Sequence, residues 1–118
     1  MKLEKITVKE GTKIEYSSKE LLFLAKSGQP YRGSLYVKFT SLGETIELLS
    51  FKKYITSLRD KTLNAEDIAY EIYESINTTI KVADFGVVVD LSARGGVQQR
   101  LCYGEEFIPV LKNNIFQI

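Results

Sequence analysis

The stretch Glu47-Leu-Leu-Ser-Phe-Lys-Lys-Tyr-Ile-Thr-Ser-Leu-Arg-Asp-Lys-Thr-Leu-Asn-Ala-Glu-Asp67 decides the fold. It closes a strand, runs through one amphipathic helix, turns, and opens a second. Phe51, Tyr54, Ile55 and Leu58 recur at i, i+3, i+4 and i+7, which places them on one helical face. Lys52, Lys53, Ser57, Arg59 and Asp60 fall elsewhere, towards water or a partner. Asn64 has the chemistry of an N-cap, with Asp67 three residues on in a capping-box-like position. Glu66 falls in the first turn of the second helix, where free N–H groups and the helix dipole favour an anion. Ala69, Ile72, Tyr73 and Ile76 continue the helical spacing.

Outward from this stretch the period changes from helical to two. Leu35, Val37 and Phe39 alternate with Ser34, Tyr36 and Lys38, the pattern of a half-buried strand. A turn over residues 40–44 leads to a strand over residues 45–48. Residues 21–25 are a short apolar run of the kind that makes a buried strand, and residues 26–33, with Gly28, Pro30 and Gly33, read as a loop. Residues 1–19 are charged, with Ile6, Val8, Ile14 and Tyr16 among polar neighbours; a frayed strand and an ordered arm both suit them.

Beyond the helices, Ile80, Val82, Phe85, Val87, Val88 and Val89 mark another strand region, with a bulge expected at Asp84 or Gly86. Residues 92–96 read as a tight turn and 97–103 as the returning strand of a hairpin. The segment 104–118, with Phe107, Ile108, Val110, Leu111, Ile115 and Phe116, is apolar enough to dock on another surface. The order strand–strand, helix–helix, strand–strand gives an α+β class: a four-stranded antiparallel sheet with both helices on one face, ββααββ. Such a sheet leaves two open edges that invite another subunit. With no repeat or linker, residues 1–118 read as a single domain, large enough to bury roughly two-thirds of its unfolded surface.

Composition excludes several functions. The 118 residues carry a formal net charge of +1, with basic residues spread along the chain, so neither a nucleic-acid nor a membrane surface is indicated. There is no histidine and one cysteine, which rules out an internal disulfide and a Cys/His zinc site within one subunit; no metal is expected. The first residues contain no apolar leader core, and the expected location is the cytoplasm.

Residues 47–54 resemble the Glu-x-Lys-Ser-x-Lys-x-aromatic signature of the 7-cyano-7-deazaguanine (nitrile) reductases of queuosine biosynthesis. Ser27-Gly-Gln-Pro30, Glu66-Asp67 and Arg94-Gly-Gly96 match further anchors of that family in the same order. The resemblance implies the tunnelling fold, in which sheets of several subunits join into a barrel with pockets between subunits. It also implies a purine- or pterin-binding role for Glu66, whose carboxylate would accept two charge-assisted hydrogen bonds from the heterocycle edge. Against this stands the common use of a first-turn acid to complement the helix dipole. The family uses NADPH, and its signature is only partly present: Lys52 remains, but the first signature lysine is Leu49.

The family's reacting residues are replaced. Leu24 stands where the nucleophilic cysteine is expected, Tyr31 where the acid aspartate is expected, and Ala65 replaces the histidine. Leucine cannot attack a nitrile, and an ordinary tyrosine is a weak acid at neutral pH. Thioimide chemistry is therefore not expected, nor is the archaeosine-forming activity of relatives that keep the cysteine. No residue is assigned to catalysis. Glu66, Glu47 and Ser50 are the candidate substrate contacts; Glu47 alternatively ends a strand in water, and Ser50 alternatively caps the first helix. Lys52, Arg59 and Arg94 form a candidate anion or cofactor site, with plain solvation as the alternative. Cys102, beside Leu101 and Tyr103, reads as structural because apolar surroundings raise a thiol pKa.

Three functions remain open: a divergent homologue that binds a purine-, 7-deazaguanine- or pterin-like heterocycle, a non-covalent enzyme acting on a related heterocycle, and a homo-oligomeric structural or interaction protein without a working pocket.

Overall fold

A computed structural model of the chain describes residues 2–110. The strands are β1 (Lys5–Thr7), β2 (Lys13–Leu24), β3 (Pro30–Ser41), β4 (Glu44–Ile46), β5 (Val82–Arg94) and β6 (Val97–Gly104). The helices are α1 (Leu48–Ser57) and α2 (Ile68–Asn77), separated by 3-10 turns over Leu58–Asp60 and Ala65–Asp67. Strands β2-β3-β5-β6 form one antiparallel sheet, and β1 pairs with β4 in a small second one. This is the expected α+β tunnelling-fold arrangement, with an added two-stranded sheet.

Alternation assigns each strand residue to a face. Leu35, Val37 and Phe39 of β3 lie beside Val89 and Val87 of β5 on the helix side, and Leu21 and Phe23 of β2 join them. Phe51, Tyr54, Ile55 and Leu58 from the first helical segment and Ile68, Ala69, Ile72 and Ile76 from α2 close this core. The helical stripe read from spacing is thus the stripe that is buried.

Strand β2 differs from expectation. It is one strand of 12 residues running from Lys13 to Leu24, where a frayed strand or ordered arm over residues 1–19 and a separate short strand over 21–25 were expected. Its register shifts between Ser18 and Leu21, so the inward positions change from Ile14 and Tyr16 to Leu21 and Phe23. An extra residue reverses the parity of the alternation, which disguises a continuous strand as two fragments. The bulge expected near Asp84 is present: the β3–β5 register shifts between Lys38 and Thr40, and Asp84 has φ +52°, stabilised by Thr40 Oγ1 at 3.3 Å from its carboxylate.

Asn64 does not cap with its side chain. The 3-10 turn after it closes through the Asp67 N–H and the Asn64 carbonyl at 3.0 Å, so the backbone already occupies the donor a cap would take.

Residues 105–110 lie across part of the face without helices. The Glu105 N–H donates to the Phe85 carbonyl at 2.8 Å, and the Val110 N–H donates to Glu15 Oε2 at 2.9 Å. Between them Phe107 lies 5.8 Å from the Lys38 ammonium, and Pro109 is buried. Glu15, Lys38, Gly86 and Gly104 are register partners across the four strands, so residues 105–110 cross the sheet along one row. Of the apolar residues expected to dock, Phe107 is half-buried against the sheet, whereas Ile108 and Val110 are 79% and 80% exposed; Leu111, Ile115 and Phe116 lie outside the described residues. Gly86 permits the crossing: a Cβ there would stand 1.9 Å from the Glu105 carbonyl oxygen and 3.2 Å from Phe107.

Substituting Gly86→Ala should displace residues 105–110 and destabilise the fold by about 1–3 kcal/mol, the usual cost of overpacking. Urea unfolding measures the loss, and hydrogen exchange at the Glu105 and Val110 amides locates it. Unchanged protection at both amides would contradict the packing described.

Candidate functional site

Three loops meet at one end of the four-stranded sheet. The β2–β3 turn is closed by the Ala25 N–H to the Gln29 carbonyl and the Gly28 N–H to the Ala25 carbonyl, at 2.8 and 2.9 Å, with Gly28 at φ +88°. The β5–β6 turn is Gly95-Gly96, both at positive φ, the form a two-residue hairpin requires. Arg94 ties the two turns together. Its Nη2 donates to Gln29 Oε1, and its guanidinium carbon lies 4.5 Å from the centre of the Tyr31 ring. Tyr31 in turn stacks on fully buried Phe23 at 5.0 Å.

The third loop is fastened through Leu24. The Leu24 N–H donates to the Lys61 carbonyl at 2.8 Å, and the Leu63 N–H donates back to the Leu24 carbonyl at 2.9 Å. This short parallel bridge extends the sheet at the edge of β2 and places the 3-10 turn carrying Glu66. Glu66 is exposed, and its Oε2 accepts from Gln99 Nε2 of β6 at 3.1 Å. Its own backbone N–H, and then the Gln99 amide, hold its carboxyl below the ordinary carboxylate pKa. Glu66 is therefore an ionised, outward-facing acceptor at neutral pH.

Glu47 and Ser50 belong to a different arrangement. The Glu47 carboxylate accepts from the Leu49 and Ser50 N–H groups at 2.7 and 2.8 Å, capping α1. Ser50 Oγ donates to the Glu47 carbonyl at 2.8 Å and accepts from the Glu4 N–H at 3.0 Å, and the residue is 4% exposed. Together they fasten the N-terminal segment to the start of α1.

Lys52 and Arg59 line a groove of about 360 Å³ between α1 and β2, with Tyr16, Phe51 and Ile55 among its walls. Arg59 reaches Glu20 across it at 3.5 Å. Arg94 is held at the sheet end instead, so the three cations expected as one set are divided between two places. Cys102 is exposed on β6, and its thiol pKa is raised, first by desolvation and then by the charge of Glu106. Among the described residues, no group of three or more His, Cys, Asp or Glu is placed to hold a metal ion. No helix among them is long and apolar enough to cross a membrane.

Residues 30–106 match the family described as QueF-like protein. The chain belongs to the QueF-like family. It is 33% identical over 72 residues to the NADPH-dependent 7-cyano-7-deazaguanine reductase of Sulfurimonas denitrificans, a match covering 61% of this chain and 58% of that protein. The reductase of the same name from Wolinella succinogenes is 31% identical over 72 residues, with the same shares covered. The chain thus spans less than two-thirds of the length of these curated relatives. Among solved structures, the apo form of an archaeosine synthase described as QueF-Like superposes with a TM-score of 0.69 at 16% identity, covering 86% of this chain and 99% of that one. That likeness establishes the fold.

In this QueF-like chain the sheet end holds two sets of contacts, Gln29, Tyr31 and Arg94 in one and Glu66 with Gln99 in the other, and Leu24 fastens the loop that leads to Glu66. Gln99 escaped the sequence reading, although its place offered a signal. It shares the helix-side parity of Leu101 and Tyr103 in β6, where a polar side chain needs a polar partner.

Two outcomes follow from this geometry. Glu47→Ala should lower stability by about 1 kcal/mol in urea unfolding through loss of the cap, and an unchanged midpoint would show that the cap is idle. Because its pKa is raised, Cys102 should react with iodoacetamide at pH 7.5 more slowly than an unstructured peptide thiol, and gain rate as pH rises above 9. A rate above the peptide's would mark it as an activated thiol.

Proposed function

We propose that this chain binds a purine-, 7-deazaguanine- or pterin-like heterocycle, with Glu66 as the anchoring carboxylate, and that it does not perform thioimide nitrile chemistry. The observation that carries the reading is the state of Glu66: ionised, exposed, and held at the tip of a loop fastened to the sheet. A carboxylate so placed accepts a pair of N–H donors from a heterocycle edge. Membership of the QueF-like family and the names of the curated relatives support this ligand class.

The chemistry at the neighbouring positions argues against covalent catalysis. Leu24 offers no nucleophile, and its backbone is committed to residues 61–63. Tyr31 is stacked on Phe23 and carries Arg94 over its ring, so its ring is committed to packing. The edge strands β6 and, beyond its bridge at Leu24, β2 pair with no further strand among the described residues, which supports assembly into a homo-oligomer with the pocket completed between subunits. Lys52 and Arg59, in the groove beside α1, are the residues to which a phosphate-bearing cofactor would turn; Leu49 in place of a lysine weakens that site. A cytoplasmic setting suits a chain of this composition.

Isothermal titration with 7-cyano-7-deazaguanine, guanine and a pterin tests the reading. Glu66→Gln should weaken binding of whichever ligand the wild type takes by roughly 10–100-fold, through loss of charge-assisted bonds. Because the Glu66 pKa is lowered, wild-type binding should hold from pH 8 to about pH 5 and decline only as pH falls below the ordinary carboxylate range, where the carboxylate is protonated. Equal binding by Glu66→Gln would remove Glu66 from the site.

A further inference from the structure

We infer that Gln99 is the positioning residue for Glu66, setting the orientation in which its carboxylate meets a ligand; this rests on the heterocycle-binding reading above. The two side chains come from separate parts of the chain. Glu66 stands on the 3-10 turn before α2, and Gln99 stands on the last strand of the sheet, paired with Leu91. What joins them is the hydrogen bond from Gln99 Nε2 to Glu66 Oε2 at 3.1 Å.

The direction of that bond follows from chemistry. An ionised carboxylate can only accept, so the amide must turn its nitrogen to Glu66. Oε2 is thereby engaged by the amide, which sets the orientation in which the carboxylate meets a ligand. The same choice turns the amide carbonyl of Gln99 outward as a further acceptor beside the carboxylate. A neutral amide suits this role because it orients the anion without cancelling its charge, as lysine would, or repelling it, as a second acid would.

Charged neighbours do not supply this orientation. Asp67, on the same turn, faces Asn64 Nδ2 at 3.5 Å. On α2, Glu71 is taken by Lys61 from the preceding loop. On β6, Arg100 points to the other face of the sheet, where its Nε and Nη2 hold Asp90 at 2.5 and 2.9 Å. The causes that lower the Glu66 pKa are a backbone N–H and the Gln99 amide, with no charged group among them.

An exposed glutamate free to rotate would lose conformational entropy each time it bound a ligand. A glutamate already held by an amide does not, and this is the advantage of preorganisation.

The test uses the full chain with Gln99→Met, which keeps length without the amide, and Gln99→Glu. The Glu66 midpoint is read by carbon-detected NMR titration, and binding by calorimetry with guanine and a pterin. In Gln99→Met we expect the Glu66 midpoint to rise and affinity at pH 7 to fall about tenfold. In Gln99→Glu we expect weak binding at pH 7–8 that recovers as pH falls towards 5, where one proton shared by the two carboxyls restores a donor to Glu66. A purely structural role for Gln99 would not produce that reversed pH profile. An unchanged midpoint and unchanged affinity in Gln99→Met overturn the inference while leaving Glu66 as anchor. If the wild type takes up neither heterocycle, the heterocycle-binding reading fails on that arm, and the positioning role falls with it.

Discussion

The middle of β5, from Phe85 to Val89, is buried on both faces, and the elements around it are arranged to meet that requirement. Val87 and Val89 turn to the helices and Val88 turns away, yet all three are fully buried. The apolar stripes of α1 and α2 cover one side. On the other, residues 105–110 cross the strands along a single row, with Gly86 reduced to a hydrogen so that the crossing chain can touch the sheet. Burial of this kind is worth roughly 25 cal/mol per Å² of apolar surface removed from water, and it is the contribution that holds the sheet as a rigid base.

A rigid base has consequences at its ends. The loops that carry Gln29, Glu66 and Arg94 are short and are each fastened by backbone hydrogen bonds or by the Arg94 bridge. These bonds set the relative positions of the three loops. Leu24 and Tyr31 are both held by their neighbours. Leucine joins a β bridge, and tyrosine is layered between Phe23 and Arg94. Glu66, by contrast, presents an exposed carboxylate.

Much of the fold was legible because burial imposes a period on the residues that undergo it. The helical stripe from Phe51 to Leu58, the alternation of β3 and the glycine turn before Val97 all follow from local rules. The reading failed where one residue alters the period or where two distant segments act together. The bulge in β2 reverses parity between Ser18 and Leu21, so alternation could not reveal a strand of that length. The 3-10 turn after Asn64 occupies the donor that a capping side chain needs. A glutamate such as Glu47 is an uncommon N-cap, so its capping role could not be expected from residue type alone. At the sheet end, the exposure of Glu66 in the turn before α2 agrees with its place in the sequence pattern. The Gln99 contact joins residues 33 apart in sequence, and the separation of Arg94 from Lys52 and Arg59 depends on which sheet edge each one meets.

Native mass spectrometry of the purified protein, alone and with guanine, 7-cyano-7-deazaguanine or a pterin, tests most directly whether a heterocycle pocket is built between subunits. The expected result is a homo-oligomer carrying one heterocycle per subunit. A monomer, or an oligomer that takes up none of the three, would contradict it.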